Sequence, residues 1–257
     1  METCFRLLGK DLKLMKGWML GSLAVLVAVG LLSVWSAYQK PTGAVSVLMT
    51  VLLFTHIFYI PAYLWISLSK EWKGTYVYWL QFPQSGWTLL AVKMGSAVIS
   101  LCISYAITYA FFFSIGQIEG NSTLLLAQSA SLDEFDPRAY ISYMKGAYLS
   151  VFSLILFMSL SLGFWILLFN ISIQAVKRKL QRFSGFTIFV LFTFLFWCWF
   201  SFSGTEMYST LTKWGAFSGD SVWAYLEMYK GEVVFELPLM AVFFFLAGWL
   251  LDRKVEV

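Results

Sequence analysis

The side chains that could do chemistry in this sequence are few and lie far apart. His56 is the only histidine and stands inside the apolar run LLFTHIFYIP. An ionisable residue in such a run is a candidate functional residue, here one that contacts a substrate in a central cavity. A hydrogen bond to a neighbouring helix would explain the imidazole equally well. Glu236, close to Pro238, would either line an exit gate or lie at a water boundary.

No recognisable catalytic set surrounds these residues. The phosphate-binding motif G-x-x-x-x-G-K-[ST] does not occur in the sequence, so the chain has no such means of binding ATP phosphates itself. One histidine without a nearby pair of carboxylates does not make a zinc site that activates water. Cys4, Cys102 and Cys198 lack paired spacing, which indicates packed free thiols. We therefore expect no catalytic residue, cofactor or metal ion in this chain.

A charged, aromatic stretch, SKEWKGTYVYWLQFPQSGW over residues 69–87, separates two long apolar runs. One set of its side chains recurs at the i, i+4, i+7 and i+8 spacing of a helix face: Trp72, Tyr76, Trp79 and Leu80. The other face holds Glu71, Gly74, Tyr78 and Gln81, and Pro83 ends the pattern. This spacing predicts a short helix over 70–85 whose apolar face rests on the membrane and whose polar face, led by Glu71, meets water or a partner. The alternative is an interfacial turn that only joins two helices.

The composition explains why such a stretch stands out. Of the 257 residues, 60% are hydrophobic and 12% are charged, whereas soluble domains average roughly 45–50% apolar and about 25% charged residues. A soluble protein of this size could not bury so much apolar surface, so lipid must be its solvent. The aromatic content of 19% agrees, because Trp and Tyr gather at membrane–water boundaries.

Six stretches reach the roughly 20 apolar residues that a spanning helix needs. They cover residues 18–38, 44–69, 88–116, 141–173, 184–203 and 233–251. We therefore predict an all-α polytopic membrane protein with six transmembrane helices, formed by one domain over residues 1–257.

The distribution of Lys and Arg predicts the orientation of these spans. Thirteen of the 18 basic residues fall in the N-terminal segment, the C-terminal segment and the alternate loops that share one side with them. Cytoplasmic loops carry such an excess, so both termini are expected in the cytoplasm. The segment between the second and third spans then faces the cytoplasm as well.

The segment before the first span, residues 1–17, is amphipathic. Apolar residues recur there at helical spacing, and the basic residues share the opposite side: Phe5, Leu8, Leu12 and Met15 against Arg6, Lys10, Lys13 and Lys16. This pattern predicts an interfacial helix whose cations meet anionic lipid headgroups. A short basic tail that only sets the orientation is the alternative.

The stretch KEWKGTYVYWLQFPQSGWTLLAVK, residues 70–93, resembles the segment between the second and third spans of type-2 ATP-binding cassette (ABC) transporter permeases. Those families show an acidic residue, then Gly with Thr or Tyr, an apolar patch, Pro before a small residue, and a Lys at the next span. In this sequence the corresponding residues are Glu71, Gly74, Thr75, Tyr76, Leu80, Pro83, Ser85 and Lys93. The six spans, the inward termini and the amphipathic N-terminal segment are also similar to that class.

The resemblance implies the permease subunit of an exporter in the cell membrane. Its segment 70–85 would be a coupling helix that docks on a separate ABC ATPase subunit, which binds the ATP and Mg. The coupling residues it implies are Glu71, Trp72, Gly74, Thr75, Tyr76, Trp79 and Pro83. Glu71 would meet a basic or hydrogen-bond-donating group, either in the ATPase or at the base of a neighbouring span. A second copy, or a similar permease chain, would complete the pathway, and no nucleic acid is involved. Separately, the aromatic faces of the second and fifth spans, HIFYIPAYLW and FLFWCWFSF, suggest an amphiphilic substrate such as a peptide antibiotic, a drug or a lipid. Packing between helices is the alternative reason for these rings.

Two other functions stay open at this point. One is a membrane-embedded enzyme that acts on lipid or peptide. The other is the substrate-binding subunit of a vitamin importer, which also has six spans and whose small-residue motif is echoed by Ala24-x-x-x-Ala28. Such a subunit does not need a helix like the one predicted over 70–85, and an ATPase gene next to this one would argue against the enzyme.

Overall fold

The protein is an all-helical bundle. The computed structural model describes residues 2–41, 43–75, 84–120, 143, 146–217 and 228–254, and these residues form helices and no β-strand. The helices are α1 (Glu2–Gln39), α2 (Ala44–Thr55), α3 (Tyr59–Lys70), α4 (Gly86–Gly120), α5 (Tyr148–Leu180), α6 (Ser184–Ser203), α7 (Glu206–Thr212) and α8 (Lys230–Lys254).

Among the described residues, six helical spans are long and apolar enough to cross a membrane, as the sequence predicts. α2 and α3 together form the second span, and α7 is too short to be one. α6 covers residues 184–203 as expected, whereas α5 continues seven residues beyond the expected end at residue 173. The stretch 174–180 contains neither Pro nor Gly, so nothing in the sequence stops the helix at residue 173.

α1 differs from the expectation of an interfacial helix over 1–17 followed by a separate span. It runs without interruption from Glu2 to Gln39. No Pro lies along it, and its glycines do not break it. The first turns are also packed into the bundle, because Leu7 and Met15 are buried in the same apolar core as residues of α3 and α4.

The second span is interrupted at its middle by a 3₁₀ turn, His56–Phe58. Pro61, in the first turn of α3, has no N–H to donate to the Ile57 carbonyl, and its ring crowds that carbonyl. The backbone N–H of Ile60 donates instead to Ser159 Oγ on α5, at 3.1 Å. A neighbouring span thus satisfies the backbone group that the break releases, as a helix break inside lipid requires.

At its far end the second span passes from α3 into a π-helical turn, Glu71–Thr75. Of the coupling helix predicted over 70–85, the structure describes Lys70 at the end of α3, this turn, and residues 84–85. Residues 76–83, which include Tyr76, Trp79 and Pro83, lie outside the described residues. α4 then begins at Gly86, whose N–H donates to Asp252 Oδ1 of α8 at 2.6 Å.

α4 is the central helix of the bundle. It packs along α1 and also contacts α2, α3 and α8. The closeness of α1 and α4 depends on Gly30, where a Cβ would overlap the ring of Phe111. α5 packs against α3, α6 and α8, and α7 contacts α6 and α8. α6 is mostly exposed apolar surface, which suits a helix that faces lipid.

The predicted outer end is held by a carboxylate and by an aromatic cluster. Glu119, fully buried at the end of α4, accepts hydrogen bonds from the N–H groups of Gly43 and Ser46, each at 3.0 Å, and so caps α2. On α7, Tyr208 packs between rings of α6 and α8, and burial raises the pKa of its phenol. α7 lies in the loop after the fifth span.

Candidate functional site

A buried ion cluster lies at the predicted cytoplasmic end of the bundle, and Lys93 of α4 is its centre. Only 2% of Lys93 is exposed. Its Nζ lies 2.6 Å from Asp11 Oδ1, 2.7 Å from Ser67 Oγ and 3.5 Å from Glu71 Oε1. Each of these partners belongs to a segment other than α4, so one ammonium group joins α1, α3 and the turn that begins at Glu71.

Asp11 is the most heavily bonded member of the cluster. Besides the Lys93 ammonium it accepts hydrogen bonds from Tyr63 Oη at 3.1 Å, from Ser67 Oγ at 3.0 Å and from Ser96 Oγ. Only 4% of Asp11 is exposed. A carboxylate buried to this degree is stable only when it is paired and hydrogen-bonded, and these donors satisfy both of its oxygens.

Glu71 is buried, whereas the sequence predicts that it meets water or a partner. Its exposed fraction is 2%, and Oε1 lies between Lys93 Nζ and Lys10 Nζ, the latter at 3.8 Å. The side chain of Lys10 is 40% exposed, so it also reaches the surface. A cavity of about 20 Å³ beside these groups has room for about one water molecule.

Trp72 ties the same turn to a fourth helix. Its indole Nε1 donates to Asn170 Oδ1 of α5 at 2.9 Å, and its ring packs against the apolar core. Trp72 therefore attaches the end of the second span to α5. The apolar face of the predicted helix, to which Trp72 belongs, was expected to make contacts of this kind. Gly74 and Thr75 belong to the π turn.

The cluster flanks the segment 76–83 on both sides. Glu71 precedes that segment, Lys93 follows it, and the two side chains are in contact. The ion cluster therefore joins both ends of the segment to α1, α3 and α4. Trp72 and Gly86 add hydrogen bonds to α5 and α8.

A row of polar side chains on α4 runs from Lys93 toward the middle of the bundle. Its buried members are Ser96, Ser100, Ser104 and Thr108. Ser100 Oγ lies 2.8 Å from Tyr59 Oη, and Ser104 Oγ lies 3.0 Å from His56 Nε2. The ion cluster and His56 therefore both contact the same face of α4.

Both ring nitrogens of His56 have partners within the protein. Nδ1 lies 3.0 Å from the Leu52 carbonyl, which can only accept, so Nδ1 is the donor and Nε2 accepts from the Ser104 hydroxyl. His56 is 4% exposed and borders an open groove of about 560 Å³ between α1 and the second span. The structure thus shows the hydrogen bond to a neighbouring helix that the sequence allowed, whereas the groove is open at the side of the chain and the central cavity stays a prediction.

Glu236 stands apart from the ion cluster, on α8. It is half-buried and accepts a hydrogen bond from Ser161 Oγ of α5 at 3.3 Å. Among the described residues, no group of three or more His, Cys, Asp or Glu side chains could hold a metal ion. The three cysteines are free, as expected, but Cys4 and Cys102 are exposed rather than packed, because each lies on an outward face of its helix.

Asp11 is the functional candidate that sequence reasoning missed. The basic residues around it led to a reading of this segment as an interfacial helix with a charged face. The useful signal was its spacing, because Asp11 stands four residues from both Leu7 and Met15, in one row of the helix. An acidic side chain within an apolar row implies a buried cationic partner, and Lys93 fulfils that role.

Comparisons of the chain with protein-family models, with curated proteins and with solved structures gave no match.

Proposed function

We propose that this chain is the permease subunit of a type-2 ABC exporter in the cell membrane. Six spans support the proposal, and so does the resemblance of residues 70–93 to the coupling segment of that class. The partners would be an ABC ATPase, which binds ATP and Mg, and a second permease chain. The substrate would be an amphiphile, such as a peptide antibiotic, a drug or a lipid.

The observation that carries this proposal is the contact between Glu71 and Lys93 on either side of the segment 76–83. A loop that only joined two spans would not need buried charges at both of its ends, because ion pairs of this kind carry a large desolvation cost. A loop that receives force from a partner needs a firm attachment to several helices. The cluster supplies that attachment to α1, α3 and α4.

In the proposed mechanism the ATPase subunits close together when they bind ATP and displace the docked segment. The ion cluster passes this displacement to α1, α3 and α4 as a unit. The helices of the two permease chains then exchange inward access for outward access. The hydrolysis itself belongs to the partner, and this chain contributes the docking segment, the ionic attachment and half of the pathway.

Co-purification tests the proposal. The tagged chain, solubilised in mild detergent, should retain an ATPase encoded beside it, and candidate amphiphiles should raise the ATP turnover of the complex severalfold. The ATPase alone, at the same concentration, controls for stimulation that does not require this chain. If no ATP-hydrolysing protein binds, or if amphiphiles stimulate the ATPase equally without this chain, the exporter proposal is wrong.

A further inference from the structure

The groove beside His56 lies between α1 and the second span and has the size of a ligand site. Its volume is about 560 Å³, within the roughly 300–1,000 Å³ that small-molecule sites occupy. Trp18, Val25 and Leu26 give it apolar walls, and Thr55, His56 and Ser104 supply polar atoms on one side. A groove with this lining accommodates a molecule that is mostly apolar and carries a polar group.

The hydrogen bonds already made in the groove restrict that polar group. Thr55 Oγ1 donates to the Leu52 carbonyl at 2.6 Å, and Ser22 Oγ donates to the Met19 carbonyl at 2.9 Å. The Ser104 hydroxyl is directed at His56 Nε2, and His56 Nδ1 is directed at Leu52. The donors of Thr55, Ser22, Ser104 and His56 are used, whereas the exposed hydroxyl oxygen of Thr55 keeps a lone pair that can still accept. A hydroxyl or amide N–H on a ligand therefore finds an acceptor at Thr55.

The charge of the lining excludes an ionic headgroup. No Lys, Arg, Asp or Glu occurs among the described residues that line the groove. An ion bound there would lose its hydration without gaining an opposite charge, which costs several kcal/mol. The acidic and basic side chains of the ion cluster are engaged with one another below it.

Two glycines leave the groove open on the α1 side. A Cβ added at Gly17 or at Gly21 would meet no atom within 4 Å. Gly17 directly follows Lys16, the last basic residue of the N-terminal segment, so this end of the groove lies at the predicted inner face of the membrane. An amphiphile in the inner leaflet could enter sideways from there.

We propose that this groove binds an uncharged amphiphile whose hydroxyl or amide N–H group donates a hydrogen bond to Thr55. The chain of the ligand lies along α1, against Trp18, Val25 and Leu26. The binding itself does not require a transport role, and the assignment of the ligand as the transported substrate rests on the proposed exporter function.

Photolabelling of the purified protein in nanodiscs tests the site. The probe is a monoacylglycerol with a diazirine in its acyl chain, which is uncharged and carries two donor hydroxyls. We expect saturable labelling of α1 between residues 17 and 26, competed by unlabelled monoacylglycerol. A diazirine-bearing phosphatidylglycerol of equal chain length should label the same peptide without saturation, as ordinary surrounding lipid does.

Gly21→Leu fills the groove, and Gly9→Leu is the matched control. Both positions lie on α1 and have open space around an added Cβ, but Gly9 does not line the groove. Gly21→Leu should weaken saturable labelling roughly tenfold, in the range of overpacking costs for a filled site. Gly9→Leu should leave it unchanged.

A second pair of measurements tests the donor requirement. Thr55→Val keeps the shape of the side chain and removes its oxygen, so it should weaken binding of the monoacylglycerol about fivefold, the equivalent of one hydrogen bond. The dimethyl ether of the same probe cannot donate, so it should bind more weakly to the wild type and be insensitive to Thr55→Val.

The proposal is wrong if labelling never saturates, or if the charged lipid gives equal saturable labelling. It is also wrong if Gly21→Leu has no effect, or if Thr55→Val weakens the binding of the ether probe and of the diol probe equally. Absence of labelling in the assembled protein would also overturn it, since a helix of a second copy would then fill the groove. These measurements need neither ATP nor an ATPase. Their failure therefore leaves the exporter proposal standing, and a failed co-purification leaves the binding site standing.

Discussion

At the scale of single residues, the buried ammonium of Lys93 is the group on which the packing of three segments depends. It is 2% exposed and has two carboxylates within 3.5 Å. A buried pair of this kind adds little net stability compared with apolar residues, but removal of one partner leaves an uncompensated charge and costs about 3–5 kcal/mol. The shortest of its contacts, to Asp11, should therefore be the most sensitive.

Asp11→Asn should strongly destabilise the protein, by the order of 3–5 kcal/mol, because it removes the closest counter-charge of Lys93 and places an amide N–H₂ beside other donors. Thermal unfolding followed by size-exclusion chromatography in detergent measures this loss. Lys13→Gln, which changes an exposed residue two positions away on the same helix, is the control and should shift the midpoint little. Equal midpoints for the two variants would contradict the buried pair.

The sequence identified part of this cluster and missed the rest for a physical reason. Glu71 and Lys93 stood out because they are charged residues beside long apolar runs. Asp11 did not, because local composition says nothing about which helix row faces a partner 82 residues away. Glu71 contacts Lys93 at the base of α4, which is one of the two surroundings predicted for it, and a contact with an ATPase stays a prediction. For His56 the hydrogen bond to a neighbouring helix, one of the two surroundings considered from the sequence, is present in the structure, and substrate contact in a central cavity stays a prediction.

At the scale of elements, the break in the second span is the feature with the clearest chemical cause. Pro61 forces the 3₁₀ turn, and Ser159 of α5 satisfies the Ile60 N–H that is left over. The turn positions His56 beside Ser104, so the polar side of the groove depends on it. The sequence contains the proline, but the serine that satisfies the Ile60 N–H lies 99 residues from Ile60 and carries no local signal.

Ser159→Ala should lower stability by about 1–3 kcal/mol, because a backbone N–H would remain unpaired inside the bundle. Ser153→Ala on the same helix is the matched control. Ser153 is exposed and donates to the Ser150 carbonyl within its own helix, so its loss should cost little. Hydrogen exchange at the Ile60 amide should also rise in Ser159→Ala alone. Unchanged exchange there would show that this contact does not stabilise the turn.

At the scale of the whole molecule, the six spans could be predicted because composition and length decide them almost alone. The pairing of the helices could not, because every span is apolar on most of its surface and the sequence does not show which face packs. α1 illustrates the difference. Its periodicity gives an amphipathic segment, whereas contacts with α4 decide that the segment belongs to the bundle.

The orientation in the membrane remains a prediction, and cysteine labelling in whole cells tests it. In a background without Cys4, Cys102 and Cys198, a cysteine at Ser131 should react with an impermeant thiol reagent. A cysteine at Lys177, which is exposed on α5, should react only after the membrane is permeabilised. The excess of basic residues on the side of Lys177 is the physical reason. Labelling at Lys177 in intact cells would refute the inward-facing termini.

In the proposed function the ion cluster passes displacement from an ATPase to the helices. The substitution Glu71→Gln tests this coupling most directly. Gln is preferable to Lys, because a third ammonium beside Lys93 and Lys10 would threaten folding itself. Glu71→Gln leaves the 2.6 Å contact between Lys93 and Asp11 in place, so the bundle should still assemble.

The measurement is amphiphile-stimulated ATP turnover per bound ATPase in the purified complex. We predict that Glu71→Gln retains the ATPase but loses most of the stimulation, while the control Lys179→Glu, near the end of α5, keeps both. Full binding together with full stimulation in Glu71→Gln would contradict this coupling.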